Sequence, residues 1–313
     1  MNILKRLFLC ILCILCIIPV LCLFSCSPRM FVINEIAAIS ETGAAAFEKD
    51  DDLEMLEKAI PGNIKFFEAL LENSPDNYRL LLLLSRLYAS YSFAFFEGKL
   101  EASLLTSVNS DYTEQQRLKE SVNRYYMKGA DYALRALKTS YPEADEKFKN
   151  PGSADIFLGK MTREDVPALF WYGFNLGSCI NLNRDSVYFI SKAFLAEKIM
   201  NRVTELDPDY YYGGAHLFLI AYYSSVPPYS DEKLKLSLFH YNRLKERKGG
   251  AFLLAELYYG RYYLWRRQEK EKFEEVMKGI MQYSGRKKEH LFYNTIAAQR
   301  AKIYLQATGV LFE

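Results

Sequence analysis

Hydrophobic and polar positions along this chain fall into two regimes. From Leu7 to Leu23 the residues are almost continuously apolar, behind Lys5 and Arg6 and ahead of Leu23-Phe24-Ser25-Cys26. From Asp51 onward the pattern is amphipathic, with apolar residues returning at the helical spacings of three and four. That periodicity predicts helices over 51–73, 77–97, 112–139, 165–182, 186–206, 211–224, 231–247, 250–266, 269–283 and 288–307. No segment combines strand alternation with turn punctuation, so the predicted fold class is all-α. About ten helices joined mostly by short turns imply hairpins stacked in order. Residues 27–50 predict a weakly structured lead-in: Ser27-Pro28 disfavours an immediate helix, Val32 to Ser40 allows a short one, and Thr42-Gly43 breaks it.

The stops between helices are chemically specific. Asn73-Ser74-Pro75-Asp76-Asn77 and Leu206-Asp207-Pro208-Asp209 each place a proline that cannot continue the incoming helix beside Asp or Asn that can cap the next. Pro75, Pro142 and Pro208 are separated by 67 and 66 residues, close to pairs of tetratricopeptide units of about 34 residues each. Leu81, Leu84, Ser85 and Tyr88 fill the large, large, small and aromatic places of a first repeat helix, and Ala196, Met200 and Val203 fill the small and apolar places of a second. Bulky Phe218 falls where a small residue is expected, so the predicted architecture is a degenerate tetratricopeptide-like α-solenoid. Ser140 to Glu164, containing Asn150-Pro151-Gly152-Ser153, is too long for an ordinary connection and reads as either an ordered functional loop or a mobile flap.

The apolar start changes the composition that matters. A charged opening, a short apolar run and a small residue before cysteine make a cleavable lipoprotein export signal over 1–25. Cys26 is then the lipidated first residue, 26–50 a tether and 51–313 the helical domain. Removing Lys5 and Arg6 from the 40 basic residues leaves 38 against 38 acidic ones, and a neutral chain has no general attraction to nucleic acid. Cys10, Cys13, Cys16 and Cys22 leave with the signal, so Cys179 remains as a single thiol with no intrachain disulfide partner. With 24 Tyr and 21 Phe, the chain is rich in side chains suited both to cores and to grooves.

The search for catalytic chemistry finds none. His216, His240 and His290 lack a second histidine at metal-ligand spacing, so neither a metal nor a cofactor is expected. Gly159-Lys160 lacks the rest of a phosphate loop, no nucleophile elbow is present, and Cys179 lies among apolar residues. In the helix 165–182, Gly173 and Gly177 share a face with Phe170 and Phe174, which points to a close helix crossing, while Trp171, Asn175 and Ser178 form a second face that reads as either groove or core. If one helix of each hairpin lines a concave surface, Trp171, Asn175, Tyr212, His216, Tyr259 and Tyr263 are the candidate ligand or partner groove. Each reads equally as a core aromatic or satisfied polar group.

The chain resembles the lipoprotein T component associated with tripartite ATP-independent periplasmic (TRAP) transporters. The resemblance runs through Ala37-Ala38-Ile39-Ser40 to Phe47 with Asp50-Asp51-Asp52, Ile60-Pro61, Ser74-Pro75-Asp76-Asn77, Tyr126-Met127-Lys128-Gly129-Ala130-Asp131-Tyr132-Ala133-Leu134, and Val166-Pro167-Ala168-Leu169-Phe170-Trp171. It continues through Leu206-Asp207-Pro208-Asp209-Tyr210 to Gly213-Gly214-Ala215-His216 and thins thereafter. It implies a non-enzymatic helical lipoprotein, anchored to a membrane of the bacterial cell envelope and facing the periplasm, as a homotrimer. It further implies that the partner is the extracytoplasmic solute-binding protein (P component) of a TRAP transporter, and that a cleft or pore takes a hydrophobic small molecule. The rival reading of a lipidated tetratricopeptide array is envelope assembly, as a pilotin or outer-membrane assembly factor.

Overall fold

The computed structural model describes residues 28–106, 112–248, 251–282 and 290–312. Residues 1–25, read from the sequence as an export signal, and Cys26 lie outside them. All regular structure among the described residues is helical. In chain order the elements are α1 (Pro28–Phe47), α2 (Leu53–Leu71) and α3 (Tyr78–Tyr91), which runs through a π-helical turn (Ser92–Glu97) into α4 (Gly98–Thr106). There follow α5 (Tyr112–Ser140), the short α6 (Ala144–Lys147) and α7 (Pro151–Leu158), α8 (Val166–Leu182), α9 (Val187–Ile190), α10 (Ala193–Leu206), α11 (Tyr210–Ser225) and α12 (Asp231–Lys248). Last come α13 (Leu253–Tyr258), a second π-helical turn (Tyr259–Leu264), α14 (Trp265–Arg267), α15 (Lys270–Met281), α16 (Leu291–Gln306) and α17 (Thr308–Leu311).

The caps fall where the punctuation residues stand. The Asp52 side chain accepts from the Met55 amide at 2.9 Å, and Asn77 accepts from Leu80 at 3.2 Å, each satisfying one of the orphan amides of a first turn. Asn150 does the same for Ser153 at 3.0 Å with Pro151 in the first turn, so the long stretch after Ser140 is ordered rather than a bare loop. It folds because Phe148, Ala154, Phe157 and Met161 are buried, with Phe148 stacked on Tyr172 of α8. The lead-in also differs from expectation. Residues 28–47 form one continuous helix through Thr42-Gly43, because Pro28 sits at its start, where its missing amide costs nothing, and Ile33, Ala37 and Ala44 are buried against the protein.

Helices α3, α5, α8, α10, α11 and α12 pack each on the next. Small residues set the closeness of these crossings. A Cβ on Gly129 of α5 would lie 2.3 Å from Oδ1 of Asn175 on α8, and one on Gly173 would lie 2.8 Å from Ile199 of α10. Phe218, too large for its place in the repeat pattern, is accommodated because Gly177 faces it: a Cβ there would lie 2.0 Å from the Phe218 ring. Leu81, Leu84, Ser85, Tyr88, Ala196, Met200 and Val203 are all buried.

The end of the chain returns to its beginning. The Phe292 amide of α16 donates to the Glu48 carbonyl at 3.2 Å. Arg300 of α16 pairs with Glu97 at 2.6 Å and with Glu101 of α4 at 2.9 Å, and the Tyr304 hydroxyl donates to Glu101 at 2.5 Å. These contacts close the array around an internal space.

Candidate functional site

That space consists of three adjoining cavities. The first is a narrow cavity of about 40 Å³, lined by Phe93, Phe170, Trp171, Phe174, Tyr211, Tyr212, Leu217, Phe252, Leu254, Tyr258 and Tyr293, along with Ala89, Ser90 and Gly214. Aromatic rings make most of its surface. The second, about 50 Å³, shares Phe174 and Tyr258 with the first and adds Gly177, Ile180, Phe218, Tyr222 and Tyr262. The third is wider, about 460 Å³, shares Glu97 and Asn181 with the second, and is walled by Lys119, Arg184, Arg261, Gln115, Gln116 and Glu101. The sequence of linings runs from apolar to charged.

Both π-helical turns face this passage. The first carries Phe93 at the apolar cavity and Glu97 at the junction of the second and third; the second carries Arg261 and Tyr262 and follows Tyr258. An extra residue in a helical turn re-aims the side chains beyond it, which is why such turns gather at functional sites. Nothing in the apolar periodicity of either segment distinguishes a π turn from an α turn.

The apolar cavity is closed on one side by a polar knot around Glu48. The Tyr211 hydroxyl donates to its Oε1 at 2.8 Å and the Tyr293 hydroxyl at 3.2 Å, while Tyr212 donates to Oε2 and Arg86 pairs with Oε1. The Arg86 guanidinium also lies 5.1 Å from the Tyr211 ring centre. Burial pulls the Arg86 pKa down, but Tyr211 and Glu48 outweigh it and raise it overall. Burial pushes the Tyr211 phenol up to about 12, Arg86 opposing and Glu48 adding to it, so this hydroxyl remains a donor.

Backbone strain is stored at the same place. Tyr211, Tyr212 and Gly213 have φ of 47°, 62° and 73°, three successive residues in the left-handed region. For the two tyrosines this costs about 1–2 kcal/mol each. The hydroxyl anchors on Glu48 hold them there, and the reversal turns both rings onto the cavity, with Tyr211 edge-on to Trp171 at 4.6 Å between centroids. Asp207-Pro208-Asp209 marks the stop before this segment, but the left-handed run of two tyrosines has no local sequence cue.

Of the six residues expected to form a groove, the structure brings two to this cavity. Trp171, although only 4% exposed, and Tyr212 line it. Asn175 is fully buried at the crossing of α3, α5 and α8, donating to the Ser85 hydroxyl at 3.2 Å and the Trp171 carbonyl at 2.8 Å, while Ser85 donates to the Gly129 carbonyl at 2.7 Å. His216 is buried against His240, Nδ1 to Nδ1 at 2.8 Å, so it has a ring partner that linear spacing concealed. Tyr259 is buried, stacked on Tyr241 at 4.1 Å and on Tyr263 at 5.3 Å, away from the passage. Tyr263 is half-buried and also lies outside the walls of the three cavities. Glu48, Arg86, Tyr211, Tyr258 and Tyr293, unassigned by sequence reasoning, are the residues that shape the apolar end.

Chemically the apolar cavity presents ring faces and hardly any polar surface, because the Tyr211, Tyr212 and Tyr293 hydroxyls are turned onto Glu48. Burial pushes the Cys179 thiol up to about 12, keeping it protonated and unreactive. Among the described residues no group of three or more His, Cys, Asp or Glu is placed to hold a metal ion.

Comparison with known proteins places this geometry in a family. An uncharacterized protein of Treponema pallidum (strain Nichols) is 27% identical over 183 residues, 58% of this chain. The aligned stretch spans 55%, about half, of the length of that relative. The family model described as TRAP transporter T-component matches residues 49–312, which takes in Arg86, the strained tyrosines, both π-helical turns and α16. The chain belongs to the TRAP transporter T-component family.

Proposed function

We propose that the protein is a lipid-anchored adaptor of the bacterial cell envelope, facing the periplasm, which docks the extracytoplasmic solute-binding protein of a TRAP transporter and passes an apolar ligand through its internal passage. The observation that carries this reading is the continuity of the three cavities, aromatic at one end and charged at the other, in a member of the T-component family. Family membership supplies the transporter association; the aromatic lining, with hydroxyls pinned on Glu48, supplies the apolar ligand. The helical array is read as a degenerate tetratricopeptide solenoid, supported by burial of Leu81, Leu84, Ser85, Tyr88, Ala196, Met200 and Val203 at the repeat positions.

Co-purification from its own cells, after mild crosslinking, tests the partner. The expected result is recovery of a TRAP solute-binding protein. Recovery of a secretin or a barrel-assembly protein in its place would overturn the transporter reading in favour of envelope assembly. Anchoring is tested by Cys26→Ala, which is expected either to release the protein into the soluble fraction or to trap the precursor with its signal uncleaved, because the acyl chains, at about 0.8 kcal/mol per buried methylene, are what hold the mature chain. Membrane retention of a processed Cys26→Ala chain would refute it.

A further inference from the structure

The charged end of the passage holds two guanidinium groups that have no carboxylate in salt-bridge range among the described residues. Arg300, fully enclosed, takes both nearby carboxylates, Glu97 at 2.6 Å and Glu101 at 2.9 Å, and those carboxylates also accept from Tyr126 at 2.7 Å and Tyr304 at 2.5 Å. Arg184 and Arg261 wall the third cavity without any carboxylate in salt-bridge range among the described residues. Arg184 is bonded to the Asn181 side-chain oxygen, and its Nε is buried with no hydrogen-bond partner. Arg261 stacks over the Tyr262, Trp265 and Tyr304 rings at 5.5, 5.1 and 5.2 Å, and its Nε is likewise buried and unpartnered. Lys119 adds a third positive charge to the same wall. Buried cations without counter-charges are costly, and two of them on one cavity repel each other. Burial holds the Arg184 pKa below its usual value, with Tyr262 opposing and Arg261 adding to it, whereas at Arg261 burial is outweighed by Tyr304, Tyr262 and Glu101, which raise the pKa. An anion supplied from outside would satisfy both forks at once.

The other end of the same passage is aromatic and has no cation on its lining. We infer that Arg184 and Arg261 form a carboxylate-binding head site, and that the ligand is a single-chain apolar acid whose head lies in the third cavity and whose tail runs past Asn181 and Phe174 toward Trp171. The inference rests on reading the passage as a ligand conduit. It adds the ligand's chemical class and its direction.

The test compares dodecanoate with dodecan-1-ol, which has the same tail and no charge. Each is titrated against the full chain in lipid nanodiscs, with empty discs as the blank and Trp171 and Trp265 emission as the readout. The wild-type protein is expected to bind the acid at least about tenfold more tightly than the alcohol, the order set by charge-assisted hydrogen bonds to a buried carboxylate. Arg184→Gln/Arg261→Gln should erase that preference, weakening the acid by about tenfold or more and the alcohol far less, since a neutral hydroxyl gains less from a guanidinium than a carboxylate does. Arg184→Gln alone, which keeps the Arg261 stack on Trp265, should remove part of it. Equal binding of acid and alcohol by the wild-type protein, or a preference that survives the double substitution, would overturn the head site and leave the conduit standing. Failure of both ligands to bind would overturn the conduit reading, and the head site with it. The wild-type comparison needs no variant, so a folding defect in the double substitution does not blunt the test.

Discussion

Acidification should destabilise this protein through one buried pair of rings. His216 of α11 and His240 of α12 are each 5% exposed and share a hydrogen bond between their Nδ1 atoms, which requires one ring to donate and the other to accept. The accepting ring is therefore neutral, and burial disfavours the imidazolium on the donor as well. Burial pulls His216 down from 6.5 to about 4, with Arg247 and Arg243 adding to it and Asp209 opposing. Burial and the neighbouring His216 pull His240 down from 6.5 to about 3. Tyr223 stacks on the His240 ring at 5.7 Å and Phe239 meets it edge-on, so no carboxylate there favours the imidazolium. Because the folded values lie below the unfolded one, the unfolded chain binds more protons under mild acid. The contribution is complete above the unfolded value and is lost as pH falls toward the folded values. Between about pH 7.5 and about pH 5 each ring should remove about 2 kcal/mol, or about 4 kcal/mol for the pair. At the lower pH both folded rings are still neutral, so this magnitude depends mainly on the unfolded value. Glu97, whose carboxyl is raised by burial against the pull of Arg300, acts in the opposite direction, and a variant lacking only the histidines cancels it. Urea unfolding followed by circular dichroism, at both pH values, on the wild-type protein and on His216→Leu/His240→Leu, measures the difference. The wild-type protein should lose about 4 kcal/mol more than the variant. Parallel losses in the two proteins would refute the reasoning.

Glu48→Ala should cost about 3–5 kcal/mol in denaturant unfolding, because it leaves the largely buried Arg86 and the phenols of Tyr211, Tyr212 and Tyr293 without their acceptor. Glu48→Gln, which keeps an acceptor oxygen, should cost less; equal stability of the alanine variant and the wild-type protein would remove the knot's structural role. Trp171 emission should shift in Glu48→Ala as the left-handed Tyr211 and Tyr212 relax away from it. Gly129→Ala should lose about 1–3 kcal/mol, since its Cβ would lie 2.3 Å from the Asn175 amide in a crossing that has no room to yield. An unchanged unfolding midpoint for that variant would mean that α5 and α8 are less tightly held than their geometry implies.

The sequence by itself determined the elements, because helix periodicity and helix stops are local properties. The apolar recurrence after Asp51 placed the main helices to within a few residues, and Asn77 and the Asp-Pro-Asp stop sit where the structure caps or ends them. It also determined that Gly173 and Gly177 mark close crossings, since glycine on an apolar helix face has little other use. Helix α1 was only partly legible, because its stability comes from burying Ile33, Ala37 and Ala44 against residues far along the chain. The ordering of Ser140 to Glu164 depended in the same way on a tertiary partner, Tyr172. The site was decided almost wholly by tertiary structure. Glu48, Arg86, Tyr211 and Tyr293 meet across separations that no local pattern encodes, and Arg300 reaches Glu97 only because α16 folds back on α4. An aromatic on a helix face carries the same periodicity whether it packs on a neighbouring helix, as Tyr259 does, or lines a cavity, as Trp171 does. The difference lies in what stands opposite it, and that is settled only when the array closes.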